Sequence, residues 1–435
     1  MSMIHLAPDY IYTPQGLQAH MLIEITSDGR IAAITKRETE TQTTKPIESL
    51  PGIALLPGFV NTHSHVFQRS LRGHTHRPLA QHDTFWSWRH AMYAAAQQLT
   101  PERLYEIALH TYREMLTSGY TSVGEFHYVH HQPDGQPYPN ANAMSEAVLQ
   151  AGHDAGIRVV LLMAAYAQGG FHQPIEQDQR RFCDRSVEAY LERVEALRTA
   201  GTLIGLAPHS IRAVPAAWFR AIVAYHHTHH LPLHIHADEQ VAEVAQCQAV
   251  HDCTPIELLE RYGALSPLTT VIHATHANEN ELALLARYGC TVCVCPTTEG
   301  DLGDGIAPYA ELVAAHIPLA IGADSNTRLD PFEELRWAEY SARMRYQRRR
   351  ILIPNERSSP GPLLLDYGTR QGARSLGLET GVIAPGMLAD FVAIDLQHPL
   401  LMGWHEQDLL DVLFFGASSE VVVQTWVQGK RVWSH

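Results

Sequence analysis

Two histidines separated by one residue, His63 and His65, end an apolar segment in the sequence LPGFVNTHSHVFQR, residues 56–69. A short apolar run of this kind is typical of a buried β-strand. Residues i and i+2 of a strand point to the same side, so both imidazoles are expected to aim at one place. Imidazole is a good ligand for zinc, iron and nickel. Alone, the pair fits a structural role equally well, so a metal site requires further ligands at other strand ends.

Further polar side chains do follow the later apolar segments of the chain. They include imidazoles and carboxylates, the groups from which metal sites and acid–base catalysis are built, and a guanidinium, which binds anions. A single histidine at a strand end is usually a hydrogen-bonded core residue, but repetition at one strand end after another favours a shared site. In chain order the candidates are Gln68, Glu125, His127, Tyr128, His209, Arg212, His236, Glu239, His273, His276, Asp324 and Asn326.

These residues need a scaffold that brings many strand ends together, and residues 57–379 predict one. Apolar strand candidates alternate there with helix candidates such as residues 100–118, which begin with Thr100-Pro101 and are followed by Gly119. Eight alternating units predict an α/β fold, a TIM (β/α)8 barrel, whose active sites form at the carboxyl ends of the strands. The strand candidates start at Phe59 and continue at residues 121–126, 157–165, 203–207, 232–237, 270–274, 291–295 and 319–323.

The two ends of the chain have a different pattern. Residues 1–56 contain short alternating segments around Asp28-Gly29, which is a hairpin signal, and residues 390–395 and 420–433 also have the pattern of strands. We therefore expect residues 1–56 and 380–435 to form one small β-sandwich domain built from both chain ends. Residues 57–379 then form the barrel.

The composition of the chain narrows the classes of molecule that it is expected to bind. The chain has 435 residues, a net charge of −14 and a pI near 6.0, which disfavours nucleic acid and anionic membranes as partners. The N-terminal residues have no basic stretch followed by an apolar one, as a signal peptide would, and the longest apolar run, residues 159–167, is too short to cross a bilayer. A cytoplasmic protein acting on a small molecule is the expectation.

One cysteine cluster offers an alternative metal site. Cys290, Cys293 and Cys295 lie close together in sequence, as in a zinc knuckle, but they occupy an apolar, alternating segment. A buried strand with small apolar thiols is the favoured interpretation.

The pattern of HxH after the first strand, His after the fifth and sixth, and Asp after the eighth resembles the amidohydrolase superfamily. The resemblance implies a single divalent metal, Zn²⁺ in the first place with Fe²⁺ as the alternative. Binuclear members carry a lysine after the fourth strand, where this chain has Ala207-Pro208-His209. The resemblance also favours His236 over the neighbouring His234, and His273 over His276. The implied ligands are His63, His65, His236 and Asp324.

Longer motifs indicate a branch of this superfamily. The sequences THSHxFQR, DxFWxWR from Asp83 to Arg89, APHSxRAV, HxHxxEQ, HATH and TEGDLGDG resemble the formiminoglutamate deiminases. This resemblance implies hydrolytic release of ammonia from N-formimino-L-glutamate, with Glu239, His273 and Asp324 as catalytic residues. It also implies a homodimer and places the reaction in histidine degradation. The implied substrate-binding residues are Gln68, Arg89, Tyr128, His209 and Arg212.

Two arginines, Arg212 at a strand end and Arg89 in the loop after the first strand, agree with this substrate, because a guanidinium binds a carboxylate in a bidentate manner. The alternative is a deaminase of an aromatic ring, such as guanine, an adenosine derivative or a triazine, which gives no reason for two inward arginines. A third possibility is a non-catalytic relative, although such proteins usually lose metal ligands and all four are present here. For Arg89 the structural alternative is stacking on Trp86 or Trp88. Residues 298–305 are interpreted as a polar, glycine-rich loop after the seventh strand, and no chemistry is assigned to them.

Overall fold

The computed structural model describes residues 3–37, 46–76, 85–354 and 359–435. Eight of its strands, β6 to β13, form a parallel sheet in chain order, and the others form a second, mixed sheet. The strands are β1 Ile4–Thr13, β2 Gly16–Ala19, β3 Met21–Ile25, β4 Ile31–Lys36, β5 Glu48–Pro57, β6 Phe59–Ser64, β7 Tyr120–His127, β8 Arg158–Ala165, β9 Ile204–Pro208, β10 Leu233–Ala237, β11 Thr269–His273, β12 Thr291–Val294, β13 Leu319–Ile321, β14 Phe391–Asp395, β15 Val422–Val427 and β16 Lys430–Ser434.

Helices follow the barrel strands and cover their outer side. In the described part of the chain, four short 3-10 helices occupy Val66–Leu71, Gln177–Phe182, Pro399–Leu401 and Ser419–Val421. The α-helices are α1 Phe85–Ala96, α2 Pro101–Thr117, α3 Ala143–Ala155, α4 Val187–Thr199, α5 Ala216–His229, α6 Val241–His251, α7 Pro255–Arg261, α8 Glu279–Tyr288, α9 Pro296–Leu302, α10 Tyr309–Ala314, α11 Pro331–Tyr346, α12 Pro360–Gly368, α13 Arg370–Ser375 and α14 Leu409–Gly416.

The barrel closes where the first and last strands meet. His65 N donates to Asp324 O at 2.8 Å, and Asp324 N donates to His63 O at 2.9 Å. The closing contact thus joins the backbone of three of the predicted metal ligands. The predicted (β/α)8 barrel is confirmed, as is a separate β-domain assembled from both chain ends, in which β1 pairs with β5 and β5 with β14.

The local signals for α2 correspond to observed contacts. Arg103 N donates to the side chain of Thr100 at 3.2 Å, Pro101 begins the helix, and Gly119 after it has a φ of +98°. In contrast, α9 occupies residues that were interpreted as a polar loop. It begins at Pro296 and is followed by Gly303 at φ +72°, but its sequence PTTEGDL lacks an apolar periodicity.

Gly58 is the single residue between β5 of the mixed sheet and β6 of the barrel. A Cβ atom here would lie 2.3 Å from Thr121 Cγ2 on β7. Gly58→Ala is therefore expected to reduce the free energy of unfolding by about 2 kcal/mol, measured by urea denaturation, because the neighbouring strand cannot give way. Gly300→Ala is the matched control, since no atom lies within 4 Å of its added Cβ. Equal midpoints for the two variants would contradict this account.

No helix among the described residues combines the length and the apolar character that crossing a lipid bilayer demands.

Candidate active site

The four predicted metal ligands converge at the carboxyl ends of the barrel strands. The potential ligand atoms of His63, His65, His236 and Asp324 all lie within 4.8 Å of one another, and all four side chains are buried. Asp324 Oδ1 is 3.2 Å from His63 Nε2 and 3.3 Å from His65 Nε2. His236 Nε2 is 3.2 Å from His63 Nε2 and 3.4 Å from His65 Nε2.

Hydrogen bonds to the backbone determine which ring nitrogens face the centre. The Nδ1 of His65 lies 2.8 Å from the Phe126 carbonyl oxygen, and the Nδ1 of His236 lies 2.9 Å from that of His209. A ring N–H donated to a carbonyl leaves Nε2 as a bare lone pair. Burial lowers the pKa of both rings, to about 4 for His236, so both are neutral at pH 7.

Neutral imidazole nitrogens with facing lone pairs repel one another at 3.4 Å. A cation between them removes this repulsion and converts each lone pair into a bond. Three imidazoles and one carboxylate, all buried, are the donor set of an open, four-ligand zinc or iron site. The residues present therefore fit one divalent metal.

Backbone strain accompanies two of the site residues. His273 has a φ of +72° and Asp324 a φ of +45°, in the left-handed region that residues other than glycine rarely adopt. Such conformations cost about 1–3 kcal/mol each and concentrate at functional sites. Here the closing contacts between β6 and Asp324 hold one of them in place.

His273 is held by three carboxylates. Its Nδ1 lies 3.3 Å from Glu299 Oε1, and its Nε2 lies 3.7 Å from Asp324 Oδ2 and 3.9 Å from Glu239 Oε1. Burial lowers the pKa of His273, but the hydrogen bond to Glu299 and the charges of Glu239 and Asp324 raise it further, so it lies above its ordinary value. Glu299 was missed from the sequence, although an acidic residue after the seventh strand was the available signal.

Glu239 lies in the cavity wall beside His273. It is 6% exposed, and burial raises its pKa to about 7, an effect that outweighs the opposing charges of His273 and Arg212. A carboxyl group with this pKa can both accept and donate a proton near neutral pH. Asp304, another buried residue from the segment after β12, accepts a hydrogen bond from Gln240 next to Glu239.

A cavity above the metal-ligand group brings the predicted substrate-binding residues together. Its wall contains Gln68, Arg89, Tyr128, His209 and Arg212 as well as Glu239 and His273. The side-chain amide of Gln68 donates to the Tyr128 hydroxyl at 2.8 Å, and the Tyr128 hydroxyl lies 3.4 Å from Met92 Sδ. His209 stacks on His236 with ring centroids 5.0 Å apart. The side-chain oxygen of Gln68 is buried without a hydrogen-bond partner among the described residues.

Both arginines of the cavity lie near one indole ring. The Arg89 guanidinium is 5.2 Å from the centroid of Trp86, and that of Arg212 is 5.8 Å from it. Arg89 also lies 5.2 Å from the Tyr93 ring. Arg89 therefore stacks on Trp86, as the structural alternative for this residue predicts. It also lines the cavity, so the two roles are compatible. Asp83, which begins the motif of Arg89, lies outside the described residues.

Several sequence candidates lie away from the cavity. Glu125 does not line the cavity, and its carboxyl group accepts hydrogen bonds from the Ser64 hydroxyl at 2.8 Å and from Val66 N at 2.7 Å. His234 Nε2 lies 3.0 Å from the Ser375 carbonyl oxygen, and His276 Nε2 lies 2.9 Å from that of Asp304. These contacts support structural roles for all three.

The cysteine cluster does not form a site of its own. Cys290, Cys293 and Cys295 are buried free thiols, and burial raises the pKa of Cys290 to about 12, which disfavours the thiolate that zinc requires. Among the described residues, no three cysteines form a potential metal cluster, although Cys295 lies near His273 and Asp324.

Comparisons with known proteins show the family to which the chain belongs. The amidohydrolase family matches residues 54–432, and the chain belongs to that family. It is 38% identical over 424 residues to the formimidoylglutamate deiminase of Pseudomonas aeruginosa, covering 96% of this chain and 92% of the relative. The 8-oxoguanine deaminase of the same organism is 30% identical over 92% of this chain and 87% of its own length. A crystal structure of an amidohydrolase from Brucella melitensis superposes with a TM-score of 0.89 at 34% identity, covering 99% and 94% of the two chains.

Proposed function

We propose that this chain hydrolyses N-formimino-L-glutamate to N-formyl-L-glutamate and ammonia, with one divalent metal, zinc in the first place. The observation that carries the proposal is one cavity that joins a three-histidine, one-aspartate ligand group to two arginines. The 38% identity to a formimidoylglutamate deiminase over almost the whole chain supports it. The substrate has an amidine carbon to be attacked and two carboxylates to be held.

His63, His65, His236 and Asp324 would hold the metal. When bound by three imidazoles and a carboxylate, zinc lowers the pKa of a water molecule to near neutrality and polarises the substrate. The second carboxylate oxygen of Asp324 faces His273 Nε2 at 3.7 Å. Asp324 is therefore placed to accept a proton from the attacking water, while His273 would stabilise negative charge that develops on the oxygen or nitrogen attached to the attacked carbon.

Glu239 would move protons at the imino nitrogen of the substrate. Its pKa of about 7 allows it to protonate this nitrogen as water adds, and to protonate it again, with a proton that the water supplied, as the nitrogen leaves as ammonia. The step balances, because the water oxygen forms the new carbon–oxygen bond, both water protons end on the imino nitrogen, and the carbon–nitrogen bond to that nitrogen breaks. Arg89 and Arg212 would pair with the two carboxylates, with Gln68, Tyr128 and His209 completing the wall.

Loss of Arg89 should weaken recognition of one carboxylate. Arg89→Gln is expected to lower kcat/KM for N-formimino-L-glutamate about a hundredfold, mainly through KM, because one charged partner of a bound anion is removed. The measurement is ammonia release, compared with two analogues that each lack one carboxylate. Arg220→Gln is the matched control, since Arg220 also faces an aromatic ring, that of Tyr262 at 6.0 Å, but lies outside the cavity. An equal loss for both analogues would contradict a specific pairing.

Metal removal should destabilise the fold as well as the site. Dialysis against a chelator is expected to lower the Tm, because a bound ion stabilises only the folded state and its loss restores the repulsion among the imidazoles. Zinc should restore the Tm, with one equivalent bound per chain by elemental analysis. A Tm that does not respond to chelator or zinc would contradict the assignment of these ligands.

The alternative is deamination of an aromatic ring, supported by the 30% identity to an 8-oxoguanine deaminase. Ammonia release from N-formimino-L-glutamate is the test, run beside guanine, 8-oxoguanine and adenosine with the same enzyme preparation. Turnover of the formimino substrate alone supports the proposal, and turnover of a purine alone overturns it. The activity would belong to histidine degradation. That assignment and the homodimer implied by the family resemblance both stay predictions, the latter to be checked by light scattering.

A further inference from the structure

Glu243 is a buried carboxylate whose two oxygens face two different parts of the cavity wall. It lies in the first turn of α6 and is 1% exposed. Oε2 accepts a hydrogen bond from Glu239 N at 3.2 Å, and Oε1 lies 3.6 Å from Arg212 Nε. One side chain thus touches both the segment that carries Glu239 and the guanidinium of Arg212.

A simple structural role accounts for only one of these contacts. Glutamates in the first turn often accept a backbone N–H and cap the helix. Glu257 of α7 does so, accepting from Thr254 N at 3.0 Å. A cap needs an oxygen acceptor and no charge, so it does not explain why Glu243 Oε1, without a hydrogen bond among the described residues, faces Arg212.

Arg212 needs a negatively charged partner on one side so that its guanidinium presents a fixed pair of N–H donors to a ligand. The side chain is 9% exposed, and its buried Nε has no hydrogen-bond partner among the described residues. The guanidinium carbon lies 5.8 Å from the centroid of the Trp86 ring, and Nε lies 3.6 Å from Glu243 Oε1. With Nε held toward Glu243, the two terminal amino groups are left to a ligand, and a pair of such donors matches a carboxylate.

We propose that Glu243 is a positioning residue, which orients the Arg212 guanidinium toward a substrate carboxylate and keeps it in register with Glu239. The inference rests on the proposed function, because it requires an acidic substrate. Glu243 does not line the cavity, so it acts through Arg212 and not on the substrate itself.

The test compares Glu243→Gln with Glu257→Gln in the metal-loaded enzyme. Glutamine retains an oxygen for the backbone N–H in both variants but loses the charge. Glu243→Gln is expected to lower kcat/KM for N-formimino-L-glutamate about tenfold, a coupling typical of a charged pair in contact. Glu257→Gln is expected to match the unsubstituted enzyme, and similar Tm values for the two variants would exclude a folding defect.

A double-mutant cycle with Arg212→Gln then shows whether the effect passes through Arg212. In the Arg212→Gln background, Glu243→Gln should change kcat/KM less than about threefold. Of the two analogues that lack one carboxylate, one is expected to be insensitive to Arg212→Gln. Glu243→Gln should also leave kcat/KM for that analogue unchanged. If the losses of kcat/KM caused by the two substitutions multiplied in the double variant, or if Glu243→Gln lowered kcat/KM equally for both analogues, the inference would be overturned while the proposed function stands. Absence of turnover by the unsubstituted enzyme would overturn both.

Discussion

Replacing Asp324 with asparagine is expected to lower kcat for N-formimino-L-glutamate by at least about a thousandfold, the scale of losing a catalytic base that is also a metal ligand. One carboxylate oxygen lies within 3.3 Å of two imidazoles, and the other faces His273 at 3.7 Å. Asparagine keeps an oxygen at the first position but carries no charge and accepts no proton. The measurements are ammonia release at saturating zinc and the metal content of the purified variant.

The backbone at this position makes the substitution informative. Asp324 has a φ of +45°, and asparagine is among the residues that tolerate this region best, so the closing contacts with β6 should persist. Asp395→Asn is the control, because the Asp395 side chain accepts a backbone hydrogen bond from Gln397 N at 2.9 Å and asparagine can accept the same bond. An Asp324→Asn variant with a full metal complement and more than about a tenth of the original kcat would contradict the proton-accepting role.

Replacing Glu239 with glutamine is expected to lower kcat about a thousandfold with KM and metal content nearly unchanged, because general acid–base catalysis typically contributes 10²–10⁴-fold. Glu239 is not among the four candidate ligands, and its nearest charged partner in the site is His273 at 3.9 Å. Glutamine has nearly the same shape but cannot exchange a proton. Steady-state kinetics over a range of substrate concentrations separates the two constants.

Glu279→Gln, at an exposed position in the first turn of α8, controls for the loss of one negative charge elsewhere and should leave both constants unchanged. A rise in KM at constant kcat for Glu239→Gln would instead assign this carboxyl to substrate binding. A loss of metal would assign it to the support of the ligands.

The barrel and the convergence of the four candidate ligands were predictable because they depend on local regularities. Alternation of apolar strands with helices has a short period, and the i, i+2 spacing of His63 and His65 places both imidazoles on one side of β6. Parallel strands end at the same side of a barrel, so polar residues after each strand meet even when they are far apart in sequence. Strand limits in the structure differ by at most two residues from those expected, and they differ because strand ends depend on pairing with the neighbouring strands.

The contacts that Glu299 and Glu243 make with the site could be found only from the tertiary structure. Glu299 belongs to α9, whose sequence has no helical periodicity, and its approach to His273 depends on how the segments after β11 and β12 pack. Glu243 has the sequence of an ordinary helix-capping residue, and only the approach of Arg212 from another strand end distinguishes it. Trp86 likewise meets Arg212 across a long separation in the chain. The sequence by itself determines which side chains reach the carboxyl end of the barrel, since local periodicity controls that. Tertiary packing decides which of them touch, since those distances depend on segments that share no local pattern.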